Sequence, residues 1–410
     1  MKLTRTLLTQ LTLSSALIFG AGNVMAETAT PKAAMNTYVE IAYAAYSDSL
    51  STAKALQTAV NEFLKAPSEA THKAAKQAWL AARVPYGQTE AFRFANPNVD
   101  DWEGKVNAWP LDEGLIDYVG TTYEHEDGNT FGEANIIAGD QEITTELLES
   151  FHEKGGSEAN VATGYHAIEF LLWGQDLNAK PDDAGTRPYT DYVTGKDCTN
   201  GNCERRGQYL KVATNLLVSD LETMVADWKP ESDNYRKSFL ALEENEALRR
   251  MLFALGSLSL GELAGERINV ALLAHSQEDE HSCFSDNTHT DIAENARGIQ
   301  NIFTGTYIRS NGDKVTGVSL ADLVAEKDID LSNSLTTKLA NSQSKAEAVV
   351  KAAEAGEHFD QQITPDNEAG NARVKAVIDA LRLQTGDIEA SAKALGIDSL
   401  NPETSDSFGE

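Results

Sequence analysis

The sequence predicts an all-α fold made of two helical bundles packed together. Three observations carry that expectation. Apolar residues recur at spacings of three and four through most of the chain, as on the buried face of a helix. Pro, Gly, Ser and Asn fall between those stretches, where helices stop and start. Strand-like patterning is confined to one short segment, 307–315, where Asn311-Gly312 suits a small β-hairpin.

In chain order, Met1 to Ala26 has a basic start (Lys2, Arg5), an apolar middle and a small residue at its end. That is the pattern of a secretory signal, with cleavage expected after Ala26. No Cys follows the apolar run, so a lipid anchor is not expected, and no later apolar run is long enough to span a bilayer. The expected location is exported, in the periplasm or cell envelope. The chain holds 34 Lys and Arg against 63 Asp and Glu. Removing the leader takes two cations and no acids, so the mature charge is (34 − 2) − 63 = −31. Such a charge argues against a nucleic-acid partner, whose phosphates need cations. It suits metal cations, and equally a generic acidic exported protein.

Tyr43, Tyr46, Leu50, Ala53, Leu56, Val60 and Phe63 mark one face of a first long helix. Pro67-Ser68 ends it, with Ser68 as N-cap of a second helix over about 69–83, which Pro85 should kink or interrupt. Glu90 and Arg93 are three apart, and on a helix their plain role is an ion pair. Residues 96–104, with Asn96-Pro97 and Gly104, read as a loop. Asp112 precedes a short apolar run, where N-capping is the plain role. A helix is expected near 142–151. The Gly-, Pro- and Asp-rich stretch 175–203 reads as a long ordered loop between an N-terminal bundle (35–190) and a C-terminal one (204–400).

In the second half, helices are expected near 205–227, 245–275, 293–303 and 330–354, with a short one opened by Ser319. Residues 371–395 read as helical with a break near Gly386, and the last dozen as an acidic, frayed end. Cys198 and Cys203 bracket four residues, and in an oxidising compartment they are expected to close a disulfide loop. Cys283 is left over, as a buried or a reactive thiol.

The chemistry centres on Gly164-Tyr165-His166-Ala167-Ile168-Glu169. His166 and Glu169 fall on one face of a helix that is otherwise apolar. A buried imidazole and carboxylate both need partners. A zinc or iron ion would satisfy both, and a mutual hydrogen bond is the plain alternative. The spacing is not that of the zincins, which place two His at i, i+4. The second polar constellation is 278–291, with His281, Ser282, Cys283, Asp286 and His289. It reads either as an acidic loop with helix caps or as the wall of a site.

Four stretches together resemble the imelysin family, in particular its iron-regulated, imelysin-like exported members. They are YGQTEAFRF (86–94), WPLDEGLIDY (109–118), GYHAIEFLLWGQD (164–176) and DEHSCFSDNTH (279–289). The resemblance covers essentially the whole mature chain. It implies two helical bundles, export, and a metal site at the His and Glu of Gly-x-His-x-x-Glu. It also implies two functions, metallopeptidase or iron acquisition.

For iron handling, the expected ligands are His166, Glu169, Glu90 and Asp112, an oxygen-rich set suited to iron. Arg93 would orient Glu90, and Glu113, Glu266, Arg267, His281, Ser282, Asp286 and His289 would wall the site. The expected partners are a metal ion, divalent or trivalent, and an envelope iron-uptake system. For a zinc metallopeptidase, Glu169 would be ligand or general base, and His281 or Glu113 would fill the remaining role. A third reading is an envelope interaction module whose His166–Glu169 pair only ties two helices.

Overall fold

A computed structural model of the chain describes residues 28–408, apart from 95, 126–127 and 178–183. The expected signal segment lies outside the described residues. Helix α1 (Pro31–Lys65) begins at N-cap Thr30, with Pro31 at its first position, where the missing N–H costs nothing. Helix α2 (Glu69–Thr89) opens on a capping box between Ser68 and Thr71. Then come α3 (Pro97–Asn107), α4 (Thr145–Phe151), α5 (Gly164–Trp173) and α6 (Cys203–Trp228). The second half holds α7 (Tyr235–Leu240), α8 (Glu244–Ser257), a π-helical stretch (Leu258–Asn269) that runs on into α9 (Val270–Ala274), and α10 (Thr288–Thr304). It ends with α11 (Leu320–Ala325), α12 (Ile329–Glu354), α13 (Phe359–Gln362) and α14 (Glu368–Ala394). Strands β1 (Thr306–Ile308) and β2 (Lys314–Thr316) form the hairpin, with Tyr307 opposite Val315. The fold is all-α with this one small sheet, as the periodicity predicts.

Helices α1, α2, α5 and α6 pack on one another, and α8, the π-helical stretch, α12 and α14 do the same. Helix α10 lies against both α2 and α12. It approaches α2 so closely that a Cβ on Gly298 would stand 2.5 Å from the Gln88 carbonyl oxygen. One continuous apolar core runs through both groups. Among the described residues no helix is long and apolar enough to cross a membrane.

Several local expectations are corrected. Helix α2 does not stop at Pro85 but continues to Thr89. Pro85 through Thr89 are buried, and that burial outweighs a lost helical hydrogen bond. Residues 97–107 form helix α3 rather than a loop, because Pro97 sits at the first helical position, where Pro is favoured. Glu90 and Arg93 do not pair: Glu90 binds Arg267, and Arg93 binds Asp100, Glu103 and Glu262. Helix α14 passes Gly386 unbroken, the roughly 1 kcal/mol propensity cost of a glycine being small against a long packed helix. The C-terminal tail is packed, with Glu403 N donating to Ser257 Oγ at 3.0 Å and Asn269 Nδ2 to Ser407 O at 3.0 Å. The Cys198–Cys203 disulfide forms as expected.

Candidate functional site

Helices α2, α3, α5 and α10, the π-helical stretch and the loop before α10 meet at a buried polar network whose pivot is Asn107, the last residue of α3. Arg83 Nη1 donates to Asn107 Oδ1 at 2.6 Å, and Asn107 Nδ2 donates to Glu103 Oε1 at 2.9 Å. A guanidinium only donates, so the amide orientation is fixed. Asn107 therefore turns its carbonyl oxygen to His166 Nε2, 3.2 Å away. His166 Nε2 carries a hydrogen and donates it.

The other ring nitrogen, Nδ1, lies 2.8 Å from Glu169 Oε2. Burial, with Arg83 and Arg267 adding to it, pushes the His166 imidazole well below its usual range. Burial lifts the Glu169 carboxyl to about 8, against the hydrogen bonds from Ser285. Both groups are thus uncharged at neutral pH, and the acid O–H on Oε2 donates to Nδ1. Glu169 Oε1 accepts from Ser285 N at 3.0 Å and from Ser285 Oγ at 2.7 Å.

His281 completes the network. Its ring centroid is 4.9 Å from that of His166 and 5.0 Å from that of Trp109. Asn107 Nδ2 approaches His281 Nε2 at 3.4 Å, so this nitrogen presents a lone pair. His281 Nδ1 has no hydrogen-bond partner and lies 3.6 Å from Asp291 Oδ2. Burial, then Arg267 and His166, keep His281 neutral as well. Asp291 is held by Arg83 Nε at 3.0 Å and Nη2 at 2.9 Å, and by the Ser282 hydroxyl.

Beside these imidazoles, two arginines serve three glutamates. Arg267 Nη2 donates to Glu90 Oε2 at 2.7 Å, Nε to Glu262 Oε1 at 2.9 Å and Nη1 to Asn295 Oδ1 at 2.7 Å. Arg93 Nη1 lies 3.2 Å from Glu103 Oε2 and 3.4 Å from Glu262 Oε1. Glu262 and Arg267 are five apart, and the i→i+5 winding of the π-helical stretch sets them side by side. Burial lifts Glu103 to about 7, whereas Arg267 and Arg93 overcome burial and hold Glu262 below the usual carboxylate range.

The network opens into a cleft of about 480 Å³ reaching Asn107, where among the described residues Glu103, Glu153, Glu158, Glu262 and Glu266 face Arg93 as the one cation.

The structure therefore brings together His166, Glu169, His281, Ser282, Glu90, Arg93 and Arg267, with Glu266 on the cleft wall. Asp112 and Glu113 lie elsewhere. Asp112 bonds Tyr123 Oη at 3.2 Å, His125 Nδ1 at 2.8 Å and Asn129 Nδ2 at 3.0 Å, and it lines a second cavity of about 570 Å³ with Glu124 and Glu278. Glu113 takes a hydrogen bond from Gln175, and burial, then Glu278, lift it to about 8. His289 lies 6.0 Å from His358, ring centroid to ring centroid, with the planes tilted by 51°, and Asp286 is buried at a left-handed turn (φ 56°). Among the described residues no three His, Cys, Asp or Glu side chains stand as a ready ligand set. Arg83, Glu103, Asn107 and Asn295 escaped the sequence reading, and Asp291 entered it only as the end of the polar stretch 278–291. Only Arg83 carried a signal, as a cation placed between Trp79 and Tyr86 on a helix.

The imelysin family model matches residues 42–388. A protein of Synechococcus elongatus named iron-regulated protein A is 26% identical over 266 residues, which is 63% of this chain and 59% of that protein. The chain thus matches little more than half the length of this relative. A crystal structure of an iron-regulated protein A precursor from Parabacteroides distasonis superposes with a TM-score of 0.66 at 19% identity, covering 89% of this chain and 95% of the other. At that identity the likeness speaks to the fold alone.

Proposed function

The chain belongs to the imelysin family, and from that premise we propose that it is an exported, iron-regulated protein that binds a metal ion, iron by preference, at the floor of the acidic cleft. One observation carries the reading: two buried imidazoles converge on Asn107, and Asn107 itself lines a cleft whose charged residues are five glutamates and one arginine. Neutral imidazole nitrogen with carboxylate and carbonyl oxygen is a donor chemistry that suits iron and other divalent ions.

His166 Nε2, His281 Nε2, Asn107 Oδ1 and Glu103 are the groups that would hold the ion. A bound ion would supply the positive charge that the cleft glutamates lack. Glu169 acts as a positioning residue: its contact with Nδ1 fixes the tautomer and ring orientation of His166. For His166 Nε2 to serve as a ligand, its hydrogen must leave. Nδ1 then takes the hydrogen from Glu169, and the pair gives up one proton in all. The Ser285 hydrogen bonds stand ready to stabilise the carboxylate so formed. A relative named for iron regulation supports iron over zinc, and an envelope iron-uptake system is the partner class that follows.

The test is metal content by mass spectrometry of the chain purified from the exported fraction, beside His166→Ala/His281→Ala. The account expects an iron equivalent that the variant loses, with no cleavage of a denatured test protein. Zinc in that place with cleavage lost in the variant would establish the metallopeptidase instead. Equal metal in both proteins would leave the His166–Glu169 pair a structural tie between helices.

A further inference from the structure

The disulfide loop holds one oxygen of a buried carboxylate. Cys198 and Cys203 close the loop, and residues 199–202 between them are exposed. Thr199 Oγ1 and Asn200 Nδ2 both donate to Asp191 Oδ1, at 2.7 and 2.8 Å. Asp191 is fully buried, and its Oδ2 accepts from Tyr118 Oη at 2.7 Å and from Arg187 Nη1 at 3.2 Å. The backbone around Arg187 leads on to the His166 site. Arg187 N donates to Trp173 O at 2.7 Å, at the end of α5, and Gly185 N donates to Phe284 O at 2.8 Å. Ser285, the next residue, holds Glu169 through its amide and its hydroxyl. An unbroken run of contacts thus joins the disulfide to Glu169.

Two features make the loop a two-state element. Asn200, Gly201 and Asn202 have φ of 56°, 68° and 53°, three left-handed residues in a row, two of them with a Cβ. Such backbone persists only where its surroundings hold it, and the disulfide ring does so here. Cys198 is half-buried whereas Cys203 is buried, so an incoming thiol meets the Cys198 sulfur first. We propose that the Cys198–Cys203 disulfide is a redox switch opened by a dithiol reductant, and that opening it loosens residues 184–187 and 284–285 behind Glu169. The reductant's thiolate attacks Cys198 Sγ, forms a mixed disulfide and expels Cys203 as a thiolate, which the N-terminus of the 26-residue α6 favours. That thiolate takes a proton, and its S–H donates to Thr199 O, 3.2 Å away. The reductant's second thiolate then attacks its own sulfur in the mixed disulfide and frees Cys198, which is protonated in turn. The dithiol leaves as a disulfide, and its two electrons and two protons stay with the chain. The left-handed residues then relax, and Thr199 and Asn200 leave Asp191. The device needs no ion at His166.

Hydrogen exchange read by mass spectrometry on the metal-free chain tests this. The parent is compared with dithiothreitol-treated parent, with Cys198→Ser/Cys203→Ser, and with Thr199→Val/Asn200→Gly, which keeps the disulfide but removes both donors to Asp191. Thiols counted under denaturing conditions should rise on reduction from one, Cys283, to all three cysteines. In the reduced parent and both variants, amides of 184–187 and 284–285 should exchange about tenfold faster, the factor expected when one buried hydrogen bond is lost from local stability. Helix α12 should exchange as before. Three results would each overturn the proposal. One is a disulfide that dithiothreitol opens only in urea. Another is unchanged exchange at 284–285 in the reduced chain or in Thr199→Val/Asn200→Gly. The third is equally faster exchange in α12, which would make the bond a plain staple of the whole fold.

Discussion

Arg267 Nη2 lies 2.7 Å from Glu90 Oε2, joining the π-helical stretch to the end of α2 through a pair in which neither side chain is more than 2% exposed. Breaking a buried pair from one side strands the other charge, at a cost of roughly 3–5 kcal/mol. Arg267→Met strands Glu90 and weakens the hold on Glu262 together. Urea unfolding should show a stability loss in that range, and a loss below about 1 kcal/mol would show that the pair is not what joins these elements.

The Gly of the Gly-x-His-x-x-Glu motif is required by the backbone. Gly164 has φ +81°, and a Cβ there would stand 2.5 Å from the Val106 carbonyl oxygen. Gly164→Ala therefore meets both left-handed strain, about 1–3 kcal/mol, and a clash with α3 next to Asn107. The melting temperature should fall and metal affinity should fall with it, since α3 and α5 are the elements that set Asn107 against His166. An unchanged melting temperature would contradict this.

Stability should depend on pH through Glu169. Its folded-state pKa, about 8, lies above its ordinary value of 4.5. Below about 4.5 both folded and unfolded forms are protonated, and the contribution is fully present. As pH rises towards 8 the unfolded chain releases the proton first and stability is lost. His166, pushed downward, acts in the opposite sense below 6.5. The window in which His166 no longer opposes the effect is thus pH 6.5 to 8, shared with the raised carboxyls Glu103, Glu280 and Glu294. There Glu169→Gln, whose amide can still donate to Nδ1, should make the fall in melting temperature shallower, with the parts due to Glu113, Glu103, Glu280 and Glu294 remaining. Identical slopes for parent and variant would refute this assignment.

Loading should release protons. Calorimetric titration in two buffers of different ionisation enthalpy should give about one proton per ion for the parent and close to none in Glu169→Gln, where the second group holds no acidic proton. Equal proton counts would remove Glu169 from the binding chemistry.

Much of this architecture is legible in the sequence because it rests on local periodicity. The stripe from Tyr43 to Phe63 is α1, the Ser319 cap opens α11, and the i, i+3 spacing does put His166 and Glu169 in contact. What was missed depends on tertiary context. Asn107 has no sequence signal, since its role comes from Arg83, His166 and His281 arriving from three other elements, with Glu103 one turn back on its own helix. Helix α3 was hidden by the loop-like composition of Asn96-Pro97 and Gly104, although Pro97 is itself a helix-start residue. The π-helical winding that pairs Glu262 with Arg267 is set by packing, which no residue type announces. Asp112 looked like a ligand for the opposite reason. An acid among apolar residues is conspicuous, but its partners Tyr123, His125 and Asn129 lie in its own following loop.

The most direct test of the central claim is anaerobic titration of the chelator-treated mature chain with Fe²⁺, run in parallel on the parent, His166→Ala and Asp112→Asn. The geometry predicts that Asp112→Asn keeps the iron equivalent bound by the parent and that His166→Ala loses it. Loss in Asp112→Asn with retention in His166→Ala would place the ion in the other cavity and contradict the account.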